Sequence, residues 1–516
     1  MLSFFLTLLA TVLLSFLPEQ WVKPKPPRPT LKTIVLQTSL VTIVFLILTL
    51  IVQRAIFSGI AVFIFLIILV AVNNAKYKAL NEPMVFSDFA MFSQAFKHPR
   101  LYFPFLGLLP VILAPVIIIG LIITVLKLEP ALAFTWQRII ASVIAILTLY
   151  YLSKIIASSL KLSFNPEEDN ARFGLQNSLY AYTLYALSDK HKQTIKEALK
   201  TSPFSTNNPP PPILTDFSES ENNKPNITVI QSESFFDARQ LHPSIKQEIL
   251  KNFDACNTES LQYGKLKVPA WGANTMRTEF SFLTGLAYED MGFYRYYPYE
   301  FLSKMPITSI ASALQQRGYY CVCIHPHPAS FFGRDKIFPQ MGFDEFIDDE
   351  SFNDSDTFGP YISDEAVTQK ILKVSAEKTD KPLFIFVITM ENHGPLHLEK
   401  VTQEEHSIFF HQDDKTQHLD ELAIYLRHLK NADKMIKALT QAYKKADAET
   451  TLCFYGDHIP SMPKTYQTTD YNDSHSNYFI WNSKCHMSNK KNVEKSSEQK
   501  KETLSVEALA MLLINS

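Results

Sequence analysis

The segment Trp271–Gly285, WGANTMRTEFSFLTG, holds a hydroxyl nucleophile candidate, Thr275, in a polar turn between two strongly apolar regions. Further polar groups each close an apolar run. Glu233 follows ITVIQS, His325 follows YCVCI, Glu391, Asn392 and His393 follow LFIFVITM, and Asp457 and His458 follow TLCFYG. Wound α/β sheets gather ligands at the carboxyl ends of their strands, so these groups are expected on one rim. Two carboxylates, an imidazole and a hydroxyl suit a divalent cation such as manganese, magnesium or zinc. Such a cation would draw the proton from Thr275 and carry the charge of a phosphate oxygen. A threonine in a turn is by itself usually a capping or hydrogen-bonding residue. The other clusters give this one its weight.

Positioning these groups requires a sheet. Ile227–Gln231, Tyr320–Ile324, Leu383–Thr389, Thr451–Tyr455 and Tyr478–Trp481 are short, continuous and β-branched or aromatic. Runs of this kind suit strands covered on both faces of a mostly parallel sheet. Helical stretches such as Ile307–Gly318 and Leu419–Lys445 separate them, which predicts a wound α/β domain.

Up to about residue 157 the sequence is dominated by long apolar runs. A bilayer needs about 20 apolar residues per helix. Five spans are expected: Leu2–Leu17, Ile34–Val52, Ile56–Val72, Phe105–Leu126 and Ile139–Ala157. The first is counted as a helix because no A-x-A-like cleavage site follows it. The spans lack mid-membrane charge, with only Lys154 near the end of the fifth, so anchoring rather than transport is expected. The loop Asn73–Phe92 reads as interfacial. Ser163–Leu187 reads either as an amphipathic connector on the membrane or as a linker helix on the soluble domain. Pro203–Pro212, PFSTNNPPPP, reads as a stiff spacer. The expected organisation is 1–160 transmembrane, 161–213 connector and linker, and 214–516 catalytic. The lysine-rich stretch Lys490–Lys501 reads as a solvated loop.

The chain has 516 residues and a formal net charge of -2, which gives no global attraction for nucleic acid. The 5 cysteines fit neither a zinc spacing nor a disulfide framework. Cys321, Cys323 and Cys453 read as buried small hydrophobes.

The segments resemble the lipoteichoic acid synthase family, a membrane branch of the sulfatase and alkaline phosphatase superfamily. Glu233–Ser234 matches its "ES" after the first strand. Thr275 with Glu279–Phe280 matches its nucleophile motif, and Asp457–His458 matches its Asp-His pair. The resemblance implies five membrane helices and an extracytoplasmic sulfatase-like domain on a bacterial cytoplasmic membrane. It implies a divalent ion, usually manganese, on Glu233, Thr275, Asp457 and His458. It also places His325, Arg334 and His393 in the substrate pocket. Arg334 would grip a phosphate bidentately, unless it simply pairs with its neighbour Asp335 at the surface. His393 would bind the phosphate or protonate the leaving oxygen. Phe332 stands where the family often has tryptophan.

The activity implied is transfer of phosphoglycerol from the lipid phosphatidylglycerol, through a threonine-linked intermediate, to a glycan or glycerophosphate acceptor. Phosphoethanolamine transfer and a non-catalytic sulfatase-like protein are the alternatives. QSES and NTMRTEF fit the phosphoglycerol type, and no nucleophile or ligand is missing. A true sulfatase is disfavoured, because neither Cys-x-Pro-x-Arg nor its serine form occurs.

Charge counting and chemistry disagree on orientation. Lys23, Lys25, Arg28 and Lys32 follow the first span, and Lys76, Lys78, Lys97 and Arg100 follow the third. Positive-inside counting puts those loops, and with them the large domain, in the cytoplasm. Envelope chemistry needs the domain outside. A reporter fused after Lys161 is expected to give active alkaline phosphatase and silent β-galactosidase. The opposite pattern would overturn the outside placement.

Overall fold

Helix and strand periods in the sequence carry over into the computed structural model, which describes residues 2–26, 28–89, 108–205, 224–299, 303, 305–378, 380–411, 419–484 and 501–515. The Pro-rich stretch from residue 206, residues 490–500 and the loop from residue 90 lie outside them. Two units emerge, Met1–Gln193 and Thr194–Ser516.

In the first unit, four helices among the described residues are long and apolar enough to cross a membrane: Leu2–Glu19, Leu31–Val52, Ala55–Leu80 and Trp136–Ser158. A further apolar helix, Leu108–Leu128, covers most of the expected span Phe105–Leu126, whose first residues lie outside the described ones. Thr30 and Thr33 form a capping box that starts the second of these helices. Between apolar helices there is little hydrophobic gain in lipid, so close approach and polar bonds take over. A Cβ on Gly59 would lie 2.5 Å from Thr11 Oγ1. Gln37 Nε2 donates to the Ser15 carbonyl at 3.1 Å. The connector forms two helices, Pro166–Phe173 and Leu175–Ala186. Its Leu175 and Leu179 are buried with Val22, Leu69 and Val70, and Tyr180 hydrogen-bonds Ser153 at 2.8 Å. It therefore packs within the first unit.

The second unit is a wound α/β domain. Its strands are β1 (Asn226–Ser232), β2 (Gln262–Lys267), β3 (Tyr320–Ile324), β4 (Glu345–Ile347), the small hairpin β5 (Thr357–Phe358) and β6 (Tyr361–Ile362), β7 (Leu383–Ile388), β8 (Thr450–Gly456), β9 (Ser476–Asn482) and β10 (Leu504–Ser505). Eight form one sheet in the order β10-β2-β9-β8-β1-β7-β3-β4. The block β8-β1-β7-β3-β4 is parallel, while β9 runs antiparallel to β8 and β2. β7 and β8 are buried along their whole length, as central parallel strands should be. The long helix Leu419–Lys445 packs Leu422, Leu426, Leu429 and Ile436 into the core beside Phe454.

The register fixes the rim. Ser232 at the end of β1 pairs with Gly456 at the end of β8, so Glu233 and Asp457 leave adjacent strands at one level. Gly456 is required there. An added Cβ would sit 1.8 Å from the Phe235 carbonyl oxygen. Gly456→Ala is expected to lower the melting temperature by several degrees, since forcing atoms into a packed site costs roughly 1–3 kcal/mol. An unchanged thermal unfolding midpoint would show that the close approach is not rigid.

Candidate active site

β1 ends in Glu233 and Ser234, whose backbones are tied to both neighbouring strands. The Glu233 N–H donates to Thr389 Oγ1 at 3.0 Å, just past β7. The Ser234 N–H donates to Asp457 Oδ1 at 2.8 Å, just past β8. Ser234 takes a left-handed backbone, φ 54°, to make this turn. Glu233, Asp457 and His458 are all buried, and one ligand atom from each lies within 4.8 Å of the others.

The cluster's atoms are all acceptors. His458 Nδ1–H donates to the Ile459 carbonyl at 3.0 Å, so Nε2 carries a lone pair. That lone pair faces Asp457 Oδ2 at 3.4 Å and Glu233 Oε1 at 3.5 Å. Neither His458 Nε2 nor Asp457 Oδ2 has a hydrogen-bond partner among the described residues. Buried orphans of this kind are costly unless something binds them. Ligand atoms about 2.1 Å from a tetrahedral ion stand roughly 3.4 Å apart. The spacing and the donor set fit a divalent cation. So does the backbone bond at Nδ1, the usual way a ligating imidazole is oriented.

Thr275 is not in a turn, as its sequence suggests. It is the first residue of the helix Thr275–Thr284, preceded by Asn274 in the left-handed conformation, φ 71°. Its Oγ1 donates to Glu233 Oε2 at 3.4 Å. A helix start carries a partial positive charge, which favours an anion beside Thr275. Thr278 Oγ1 donates to the Asp457 carbonyl at 2.7 Å and pins the helix to the β8 end.

The remaining sequence candidates divide. His393 is half-buried beyond β7, with Nδ1–H held by the Gly394 carbonyl at 2.6 Å and Tyr361 Oη at 3.2 Å. Burial lowers its pKa, so the ring is biased toward neutral with Nε2 as its open atom. His325 is buried after β3, and its Nδ1–H donates to the Ile388 carbonyl at 3.1 Å. Burial, then Arg334, holds its pKa well below the ordinary value. Arg334 differs from both sequence readings. It is 1% exposed, so it is no surface partner of Asp335. Its Nε and Nη2 already grip Glu279 at 3.0 and 2.8 Å, leaving Nη1 without a partner. The fork is thus not available for a bidentate grip on phosphate.

Sequence reasoning placed Glu391 on the rim but missed its partners in a second buried acid cluster beside the His393 loop. Glu391 accepts from Asp364 N–H at 2.7 Å, His428 Nδ1 at 3.0 Å and Asn431 Nδ2 at 2.7 Å. His428 Nε2 meets Glu399 Oε1 at 2.8 Å. Burial alone would lower the His428 pKa, but its two carboxylate partners push it up to about 9. These residues are spread from 364 to 431, and no local motif marks them.

The sulfatase family model matches residues 225–505. A Rhizobium meliloti protein named for cyclic β-1,2-glucan modification is 31% identical over 248 residues, 48% of this chain and 38% of that protein. The chain thus spans well under half of that relative's length. The capsular polysaccharide biosynthesis protein RkpI of Rhizobium meliloti is 26% identical over 442 residues, 83% of this chain and 77% of RkpI. Among solved structures, the integral membrane lipooligosaccharide phosphoethanolamine transferase A of Neisseria meningitidis shares the fold at TM-score 0.56 and 13% identity, over 93% of this chain and 88% of that one.

The cluster's electrostatics give a pH test. Burial, then Asp457, pushes the Glu233 pKa up to about 8. A carboxyl raised in the folded state favours folding fully below its unfolded value near 4.5, and that advantage is lost as pH rises through 8. Cation-free protein is expected to lose stability across that window, and added manganese to restore it. The manganese-induced rise in melting temperature should therefore grow from pH 6 to pH 8. Asp457→Asn should abolish it. An equal shift in the variant would rule out this cluster as the cation site.

Proposed function

The chain belongs to the sulfatase family, and we propose that it is a membrane-anchored phosphoglycerol transferase. In this reading it moves the headgroup of phosphatidylglycerol to an envelope glycan, on the outer face of a bacterial cytoplasmic membrane. The observation that carries the reading is the Thr275 hydroxyl, placed at a helix N-terminus and 3.4 Å from a buried cluster of acceptor atoms. Its helices supply the anchor, with four among the described residues long and apolar enough to cross a bilayer. QSES and NTMRTEF support the phosphoglycerol type. The relatives' names, capsular polysaccharide biosynthesis and glucan modification, support a glycan acceptor.

Glu233, Thr275, Asp457 and His458 would hold the divalent ion, most simply manganese, which would supply Lewis-acid stabilisation of phosphate and alkoxide charge. The rest of the chemistry falls to the chain's own groups. Thr275 Oγ1 attacks phosphorus as the P–O bond to diacylglycerol breaks, giving a threonine phosphodiester. The hydroxyl proton already points at Glu233 Oε2. Helix N–H groups at Thr275 receive the developing charge. His393, with Nδ1–H fixed on Gly394, exchanges a proton through Nε2. The proton that leaves Thr275 passes to the diacylglycerol oxygen through neutral Nε2, and in the second half the acceptor hydroxyl's proton returns to Thr275 by the same route.

Purified protein with labelled phosphatidylglycerol and manganese is expected to release diacylglycerol. Thr275→Ala should reduce the rate by roughly six orders of magnitude, as removal of a serine nucleophile does in a protease. Equal rates in both proteins would refute the nucleophile assignment. Parallel reactions with phosphatidylethanolamine decide the headgroup.

A further inference from the structure

We propose that Glu279 is a specificity-determining residue: by neutralising Arg334 it fits the site to singly charged phosphodiesters and against doubly charged monoesters. The inference rests on the phosphoryl-transfer reading of Thr275 and deepens it.

Glu279 lies one helical turn after Thr275, so the two share a helix face. Its carboxylate is fully buried and takes Arg334 in a two-pronged pair, Nε to Oε1 at 3.0 Å and Nη2 to Oε2 at 2.8 Å. The Tyr299 hydroxyl donates to the same Oε1. Phe332, in a left-handed backbone with φ 58°, lays its ring 5.2 Å from the guanidinium carbon. A phenylalanine rarely adopts that conformation, so the surroundings hold the ring over the arginine. One polar atom of the assembly stays open: Arg334 Nη1, buried and without a partner. It can donate to a phosphate oxygen, yet the pair behind it sums to zero charge.

The titratable groups around the pair do not add to that sum. Burial keeps Tyr299, Cys323 and Tyr455 protonated and neutral, and it keeps His325 unprotonated. A phosphodiester brings one negative charge and finds donors. A monoester brings a second, for which these residues hold no uncompensated cation. In a buried site such a mismatch is poorly screened. Glu279→Gln keeps the shape and frees one full positive charge.

The test is anion binding to the full-length, manganese-loaded protein in detergent, by calorimetry, with dimethyl phosphate and methyl phosphate as probes. Wild type is expected to prefer dimethyl phosphate about tenfold at pH 8. Methyl phosphate should bind more weakly relative to dimethyl phosphate as pH rises through its second ionisation near ~6. Glu279→Gln should tighten methyl phosphate about tenfold and move dimethyl phosphate less than threefold. Wild type that binds neither anion, or favours the dianion, overturns the proposal, as does an unchanged ratio in the variant. The wild-type pH series stands alone if the variant does not fold. Failure of diacylglycerol release with an intact anion preference would sink the headgroup reading and leave this one standing.

Discussion

The parallel pairing of β1 with β8 is the constraint on which the rest depends. Asp457 and His458 lie more than 220 residues from Glu233 and Ser234 in sequence, yet the Ser232–Gly456 register brings them to one level of one rim. From there the backbone completes the work. Ser234 N–H holds one oxygen of Asp457, Thr389 holds the Glu233 N–H, and Gly456 leaves room for the Phe235 carbonyl. A one-residue slip would send every side chain of the strand to the other face and dissolve the site.

Three buried acid groups in this domain show three ways of living away from water. Glu391 is saturated by a backbone N–H, an amide and His428, and His428 in turn meets Glu399. Glu279 is saturated by Arg334 and Tyr299. Burying a charge is tolerable in both cases because a partner is built in. The Glu233–Asp457–His458 cluster is different, with lone pairs facing lone pairs and two orphaned atoms. The first two arrangements explain themselves as structure. The third has no built-in cationic partner among the described residues, which sets it apart from the other two without reference to any motif.

Much of this was legible in the sequence, for identifiable reasons. The runs that became β1, β3, β7, β8 and β9 are nearly all apolar, because both faces of those strands are covered. β2, QYGKLK, is polar and β4 has only three residues, so neither carried a strand signal. The helix start at Thr275 was hidden because GANT looks like a turn and its cap is a left-handed asparagine rather than a serine or aspartate bond. The fate of Arg334 was hidden differently. Asp335 is its neighbour in sequence, whereas its true partner is 55 residues away. Local charge patterns predict surface pairs and say nothing of buried ones.

These differences bear on how the site comes to exist. The hydrogen bonds that position Glu233, Asp457 and His458 come from the sheet ends and their immediate loops. Burial, then the neighbouring Asp457, raises the Glu233 pKa to about 8. In the proposed reading, loading would exchange a proton for a cation at this cluster. The Arg334–Glu279 pair is equally complete before substrate arrives. A site whose charges are settled in advance spends little on reorganisation during the reaction, which is where preorganised electrostatics has its effect.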